Sequence, residues 1–197
     1  KGLCDAGAKL GIKMFTGYGM SETCPLLSTT HLSPADLELP LEQQTAIRVK
    51  TGKAVPMVEL EIVDPDGNPV AHDGEAKGEV VARAPWLTQS YFKQPDKGEE
   101  LWEGGWLHTG DVASMEPDNT LTIKDRIKDV IKTGGEWLSS LDLENMISQH
   151  PAVAGAAVVG VPDEKWGERP YALITLKPGE SISEQDIKQH LQQFVDS

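Results

Sequence analysis

Near Lys124 the hydrophobic pattern of this chain changes kind, and that change narrows the available folds more than any other feature. Before it, from Gly52 to about Ile123, short β-rich segments (residues 58–63, 79–82 and 120–123) alternate with the turn clusters Asp64-Pro65-Asp66-Gly67-Asn68 and Glu116-Pro117-Asp118-Asn119. Such punctuation predicts a small sheet or barrel of antiparallel hairpins. After it, two helix signatures enclose two apolar runs. Residues 139–150 carry Ser139 and Asp142 in capping-box positions, Leu138 and Leu143 as a staple, and Leu143, Met146 and Ile147 on one face. Residues 183–195 repeat the plan with Ser183 and Asp186, Ile182 and Ile187, then Leu191 and Phe194. The intervening runs, 153–161 and 171–176, are long enough for core strands. Helix, strand, strand, helix makes a compact α+β unit beginning near Lys128, with the boundary in the charged stretch 124–129. Farther upstream, residues 10–15 alternate and predict a strand entering the Gly-rich turn Thr16-Gly17-Tyr18-Gly19, whereas residues 28–45 are polar, carry two prolines and predict a loop.

Composition excludes several classes. A chain of 197 residues that is 39% hydrophobic and 25% charged is neither disordered nor membrane-spanning, and it has no secretory segment or long apolar run. Its 31 Asp plus Glu against 18 Lys plus Arg give a net charge of −13, which argues against a nucleic-acid partner or an anionic membrane surface. An anionic ligand therefore needs a local cationic cluster. Two cysteines, Cys4 and Cys24, are too few for a disulfide framework and indicate a reducing, cytoplasmic setting. The chain opens on Lys1 and stops at Val195-Asp196-Ser197 in mid-pattern, so a piece of a longer protein is expected.

Three stretches can carry chemistry. Gly17-Tyr18-Gly19-Met20-Ser21-Glu22-Thr23 joins glycines, an aromatic face, hydroxyls and a carboxylate, a set able to stack a base, bond a phosphate and hold Mg²⁺; a tight turn with Tyr18 packed for structure is the other reading. Gly104-Gly105-Trp106-Leu107-His108-Thr109-Gly110-Asp111 reads as a second Gly-rich loop. Its Asp111 either accepts both hydroxyls of a ribose or closes its own turn, and His108 is structural, with no acid in evident relay. Residues 124–132 hold four cations and two acids in an otherwise acidic chain, followed by Gly134, Gly135, Glu136 and Trp137. Arg126 could fork onto a phosphate or ribose, or the stretch could be a solvated, salt-bridged strand or hinge. Trp166-Gly167-Glu168-Arg169-Pro170 is either a rim loop near a ligand or a structural turn. No Walker A sequence, zinc-spaced Cys/His set or Ser/His/Asp constellation is present.

Taken in order, these stretches resemble the adenylate-forming superfamily of acyl-CoA synthetases, aryl-CoA ligases, luciferases and peptide-synthetase adenylation domains. Residues 17–23 are similar to its Tyr-Gly-x-Thr-Glu motif, with Ser21 keeping the hydroxyl. Residues 105–111 are similar to Trp-x-x-Thr-Gly-Asp, and residues 125–136 to Asp-Arg-x-Lys-Asp-x-Ile-Lys-x-Gly-Gly-Glu. The Gly-Gly-Glu-Trp ending and the later Trp-Gly-Glu-Arg-Pro look most like the medium- and long-chain fatty-acyl-CoA branch. The resemblance implies a β-rich subdomain from the end of the large AMP-binding domain (1–124), a hinge (125–129) and an incomplete small α+β C-terminal domain (130–197). It implies a ligase using a carboxylic acid, ATP, Mg²⁺ and CoA, without nucleic acid, and leaves oligomeric state open, a homodimer included. An aryl- or short-acid ligase and a non-catalytic nucleotide-binding module are the alternatives.

Carried over by position, Tyr18 would stack on adenine, Ser21 would contact phosphate and Glu22 would bind the metal, with Thr16, Gly17 and Gly19 completing the loop. Asp111 would hold the ribose hydroxyls with Arg126 nearby. Lys128 would be the hinge, and Lys132 and Trp137 would help form the closed adenylation state. Gly134 and Gly135 would line the CoA path. The family's phosphate loop and its C-terminal adenylation lysine match nothing here, so these residues alone are expected to be inactive.

Overall fold

A computed structural model describes residues 2–195, and within it the chain divides into two compact units, Lys1–Ile123 and Lys124–Ser197. The expected domain ends at Lys1, Asp196 and Ser197 lie outside the described residues. The first unit opens with helix α1 (Gly2–Lys9). A coil follows where residues 10–15 predicted a strand: only β1 (Gly17–Tyr18) pairs, with β2 (Ser28–Thr29), which in turn pairs with β3 (Lys53–Ala54). Alternation makes a strand only where a ladder partner lies alongside, and Leu10, Ile12 and Phe15 remain exposed. The predicted loop at 28–45 is corrected as well, because α2 (Leu41–Arg48) starts directly after Pro40. This helix buries Thr45 and Arg48 instead of an apolar stripe, so periodicity could not reveal it, although a proline at a helix start fits its fixed φ.

Strands β4 (Glu59–Val63), β5 (Gly78–Arg83), β6 (Leu107–Met115) and β7 (Leu121–Arg126) form an antiparallel meander in that order, as the turn clusters predict. The Asp64 carboxylate accepts the amides of Asp66 and Asn68 at 2.9 Å each, the local chemistry that closes the β4 turn. Between β5 and β6 lies the short helix α3 (Pro95–Leu101). Two apolar clusters line the sheet: Leu27, Val58, Ala82, Leu87, Leu101 and Leu107 in one, and Ile62, Val80, Ala113, Met115 and Leu121 in the other.

In the second unit a hairpin of β8 (Ile131–Thr133) and β9 (Glu136–Leu138) precedes α4 (Ser140–Ser148), β10 (Val153–Asp163), β11 (Gly167–Leu176) and α5 (Glu184–Val195), with sheet order β10-β11-β8-β9. Both caps form: the Ser139 hydroxyl accepts the Asp142 amide at 3.1 Å, and Ser183 and Asp186 exchange amide bonds at 3.0 and 3.2 Å. The two helices put Ile147, Ile187 and Leu191 against Val153, Val158, Ile174 and Leu176. The strand runs are therefore core on one face only, since Val159, Tyr171 and Leu173 stay 47%, 55% and 58% exposed.

Candidate functional site

In the first unit the chain doubles back at Gly19, where a Cβ would sit 1.8 Å from the Pro25 carbonyl oxygen, so only glycine fits. That reversal brings the Leu27 amide to the Tyr18 carbonyl at 2.7 Å and packs the Tyr18 ring against both apolar clusters. Its Oη donates to Asp111 Oδ2 at 2.8 Å, joining two motifs 93 residues apart. Burial pushes the Tyr18 phenol above its ordinary value and the Asp111 charge adds to the rise, so the hydroxyl stays a donor.

Asp111 is delivered by a strand, which corrects the reading of residues 104–111 as a loop: the turn ends at Gly105 and β6 begins at Leu107. Register jumps from Val81 opposite His108 to Glu79 opposite Val112, so Thr109, Gly110 and Asp111 together face Val80. Gly110 at φ +72° makes the bulge. Glu79 straddles it, Oε1 accepting the Gly110 amide and Oε2 facing His108 Nδ1, both at 2.9 Å, while the Thr109 hydroxyl donates to the Val80 carbonyl at 2.8 Å. His108 therefore does have an acid partner. Glu79 lies 29 residues away and becomes visible only through strand pairing.

The Ser21–Thr23 turn is fixed from beneath. Thr23 is buried and its hydroxyl accepts the Met20 amide at 2.9 Å, while Thr88 N and Trp86 Nε1 donate to the carbonyls of Glu22 and Thr23 at 2.8 and 3.1 Å. Tyr91 Oη donates to Glu22 Oε1 at 2.7 Å, and that bond pushes the Tyr91 phenol up to about 12. Ser21 is exposed beside it. Thr16 commits its hydroxyl to the Arg48 carbonyl at 2.6 Å, anchoring the start of β1. Trp86, Thr88 and Tyr91 carry no motif signal of their own, so sequence reasoning misses them.

In the second unit the basic motif is held by the Asp125 carboxylate. Asp125 accepts from Arg126 N at 2.8 Å, Ser140 Oγ at 3.0 Å, Ser139 Oγ at 3.1 Å and Leu141 N at 3.3 Å. Burial pushes its carboxyl up, but these donors outweigh that and hold it below the ordinary carboxylate value. The amides of Asp129 and Val130 both reach the Arg126 carbonyl at 2.9 Å, closing a turn on which Arg126 and Lys128 are exposed. Gly134 and Gly135, at φ +60° and +87°, form the two-residue turn between β8 and β9. The Gly134 amide donates to the Trp166 carbonyl at 2.9 Å, and a Cβ there would stand 3.1 Å from the Trp166 ring. Lys132 donates its amide to Glu168 Oε2 at 2.8 Å and leaves its side chain exposed, while Trp137 is half-buried. The 166–170 stretch, read from sequence as a loop or turn, is mostly strand: the turn covers 164–166 and β11 begins at Gly167, which pairs with Thr133 of this hairpin.

Residues 4–92 match the AMP-binding enzyme family, and residues 142–197 match the AMP-binding enzyme C-terminal domain. This chain belongs to the adenylate-forming, AMP-binding family. The 3-methylmercaptopropionyl-CoA ligase of Ruegeria lacuscaerulensis is 44% identical over 91% of the chain and 33% of the relative. The long-chain-fatty-acid–CoA ligase of Thermus thermophilus is 39% identical over 93% of the chain and 34% of the relative. The o-succinylbenzoate CoA synthetase of Bacillus subtilis, solved with its acyl-adenylate intermediate, superposes with a TM-score of 0.79 at 29% identity, over 98% of this chain and 37% of that one. The chain spans about a third of the length of the curated relatives it matches.

For an adenylate-forming enzyme, the Glu22 environment suits Mg²⁺. The ion keeps water and phosphate oxygens and needs only one or two carboxylates, and Glu22 offers hard oxygens on a fixed turn with Tyr91 engaging Oε1. Among the described residues no group of three or more His, Cys, Asp or Glu gathers into a separate metal site, and no helix is long and apolar enough to cross a membrane.

Proposed function

We propose that this chain supplies the nucleotide-holding end of the large domain and the first part of the small domain in an AMP-forming acyl-CoA synthetase acting on a fatty acid. The observation that carries this is the Tyr18–Asp111 bond, which brings together the two motifs assigned to base and ribose. Asp111 accepts the ribose hydroxyls, the Tyr18 ring offers a face to adenine, and Ser21 donates to the α-phosphate. Arg126 bonds ribose or phosphate, a bidentate task suited to guanidinium. Mg²⁺ held through Glu22 would neutralise charge on the phosphates.

The carboxylate oxygen of the acid attacks the α-phosphorus, and the bond to the bridging oxygen breaks to release pyrophosphate. The thiolate sulfur of CoA then attacks the acyl carbon, and AMP departs with the electron pair of the broken C–O bond. Lys128 is the hinge between the two half-reactions, Lys132 and Trp137 complete the adenylating arrangement, and Gly134 and Gly135 leave room for the CoA arm. The two free cysteines support a reducing compartment, which we read as cytoplasm.

A second reading, a short-acid ligase, is favoured by the 44% identity to an enzyme named for 3-methylmercaptopropionate. The test is pyrophosphate release and thioester formation by the full-length protein with acids of graded length. Turnover that rises with chain length selects the fatty acid, and a maximum at short acids selects the alternative. Tight binding of an acyl-adenylate analogue with no turnover for any acid would overturn both in favour of a non-catalytic module.

A further inference from the structure

Asp111 owes its place to a bulge, and the Glu79 side chain spans that bulge. Three residues, Thr109 to Asp111, stand opposite Val80, an arrangement that leaves amides of the longer strand without ladder partners. Glu79 meets this need with both oxygens: Oε1 takes the Gly110 amide and Oε2 takes His108 Nδ1, at 2.9 Å each. The far side of the His108 ring is tied in turn, with Nε2 3.2 Å from the Glu103 carbonyl. The Glu79 side chain is only 16% exposed, so these bonds form largely out of water. The clamp thus grips the residues on both sides of Thr109, directly before the acid.

We infer that Glu79 is a positioning residue for the nucleotide, acting through the bulge to aim Asp111 at the ribose, with His108 as its brace. The inference rests on the proposed ribose role of Asp111. Without the clamp, Gly110, which has no side chain to restrain it, samples other backbone states, and Asp111 keeps its chemistry but loses its aim.

The test measures ATP and 2′-deoxy-ATP binding by titration calorimetry in the full-length protein. Glu79→Ala weakens ATP binding about tenfold, the size of one lost bond to a charged group, and narrows the preference for ATP over the deoxy analogue. Glu79→Gln, whose amide oxygen still accepts from Gly110, recovers most of that affinity. The double variant Glu79→Ala/Asp111→Ala binds no more weakly than Asp111→Ala alone, because the first residue acts only through the second. A lowered melting temperature with unchanged binding would make Glu79 purely structural and overturn the inference, as would additive losses in the double variant. If Asp111→Ala weakens ATP binding and Glu79→Ala does not, the inference alone falls. If Asp111→Ala itself leaves binding and preference untouched, the ribose reading falls and the inference with it.

Discussion

Asp111 and Asp125 are both carboxylates in motif positions on strands of the meander, yet their surroundings differ in kind. Asp111 is half-exposed, aimed by a bulge and touched by a tyrosine hydroxyl, whereas Asp125 is 8% exposed and accepts two amides and two hydroxyls. A carboxylate surrounded by protein donors serves the fold, whereas Asp111 stands half-open, where the proposed ribose contact can reach it. The same contrast separates the two units. The first holds Asp111 and Glu22 with half-buried tyrosine hydroxyls, and the second fixes its backbone while its basic side chains, Arg126, Lys128 and Lys132, reach the surface.

The comparison breaks first at Asp125. Asp125→Ala strands four donors around a buried space and is expected to cost about 3 kcal/mol of stability, read from urea unfolding of the full-length protein. Because the folded carboxyl lies below its unfolded value, its contribution is complete above the unfolded value and disappears as pH falls through the folded one. The gap between wild type and variant should therefore be widest near neutrality and close in strong acid. A pH-independent gap would remove the ionised form from the argument.

Asp111→Ala should do the opposite: nucleotide binding weakens by about 2 kcal/mol, near thirtyfold, with little change in unfolding. Equal losses of stability and affinity would erase the distinction between the two acids.

Much of this contrast lies in the sequence, and the unreadable part has a common cause. The capping pairs Ser139/Asp142 and Ser183/Asp186 and the turn clusters are local chemistry, encoded within a few residues, and they form as expected. The partners of Asp111, Glu22 and His108, namely Tyr18, Tyr91 and Glu79, lie 93, 69 and 29 residues away, and only the tertiary fold brings them together, through strand register for Glu79 and His108 and through packing between separate elements for the other two pairs. Residues 10–15 and α2 depart from the sequence expectation for the converse reason. One has the strand pattern without a partner, and the other has a partner for its polar residues without the helix pattern.

Lys128→Pro sharpens the comparison from the second unit. Proline removes rotation about φ at a turn whose side chain is exposed and where the hinge is proposed. The thioester step should slow about tenfold more than adenylation, roughly 1.4 kcal/mol of added barrier. Single-turnover measurements of pyrophosphate release and thioester formation separate the two, and equal slowing would count against the hinge.

The smallest expected effect tests whether a tyrosine donor aims Glu22 as one touches Asp111. Tyr91→Phe removes a 2.7 Å bond to Glu22 Oε1 and little else, since the ring continues to pack against the first apolar cluster. The turn that carries Glu22 stays pinned by Thr88 and Trp86, so the backbone should hold and only the carboxylate should gain rotational freedom. One hydrogen bond to a charged group corresponds to about 1 kcal/mol here, or near fivefold in the Mg²⁺ concentration needed for half-maximal ATP binding, followed by calorimetry at fixed ATP. Because the phenol carries a proton up to about pH 12, the effect should be constant across the neutral range. A fivefold shift that appears in Mg²⁺ dependence and not in metal-free nucleotide affinity would place Tyr91 behind Glu22, whereas an equal shift in both would place it against the nucleotide itself.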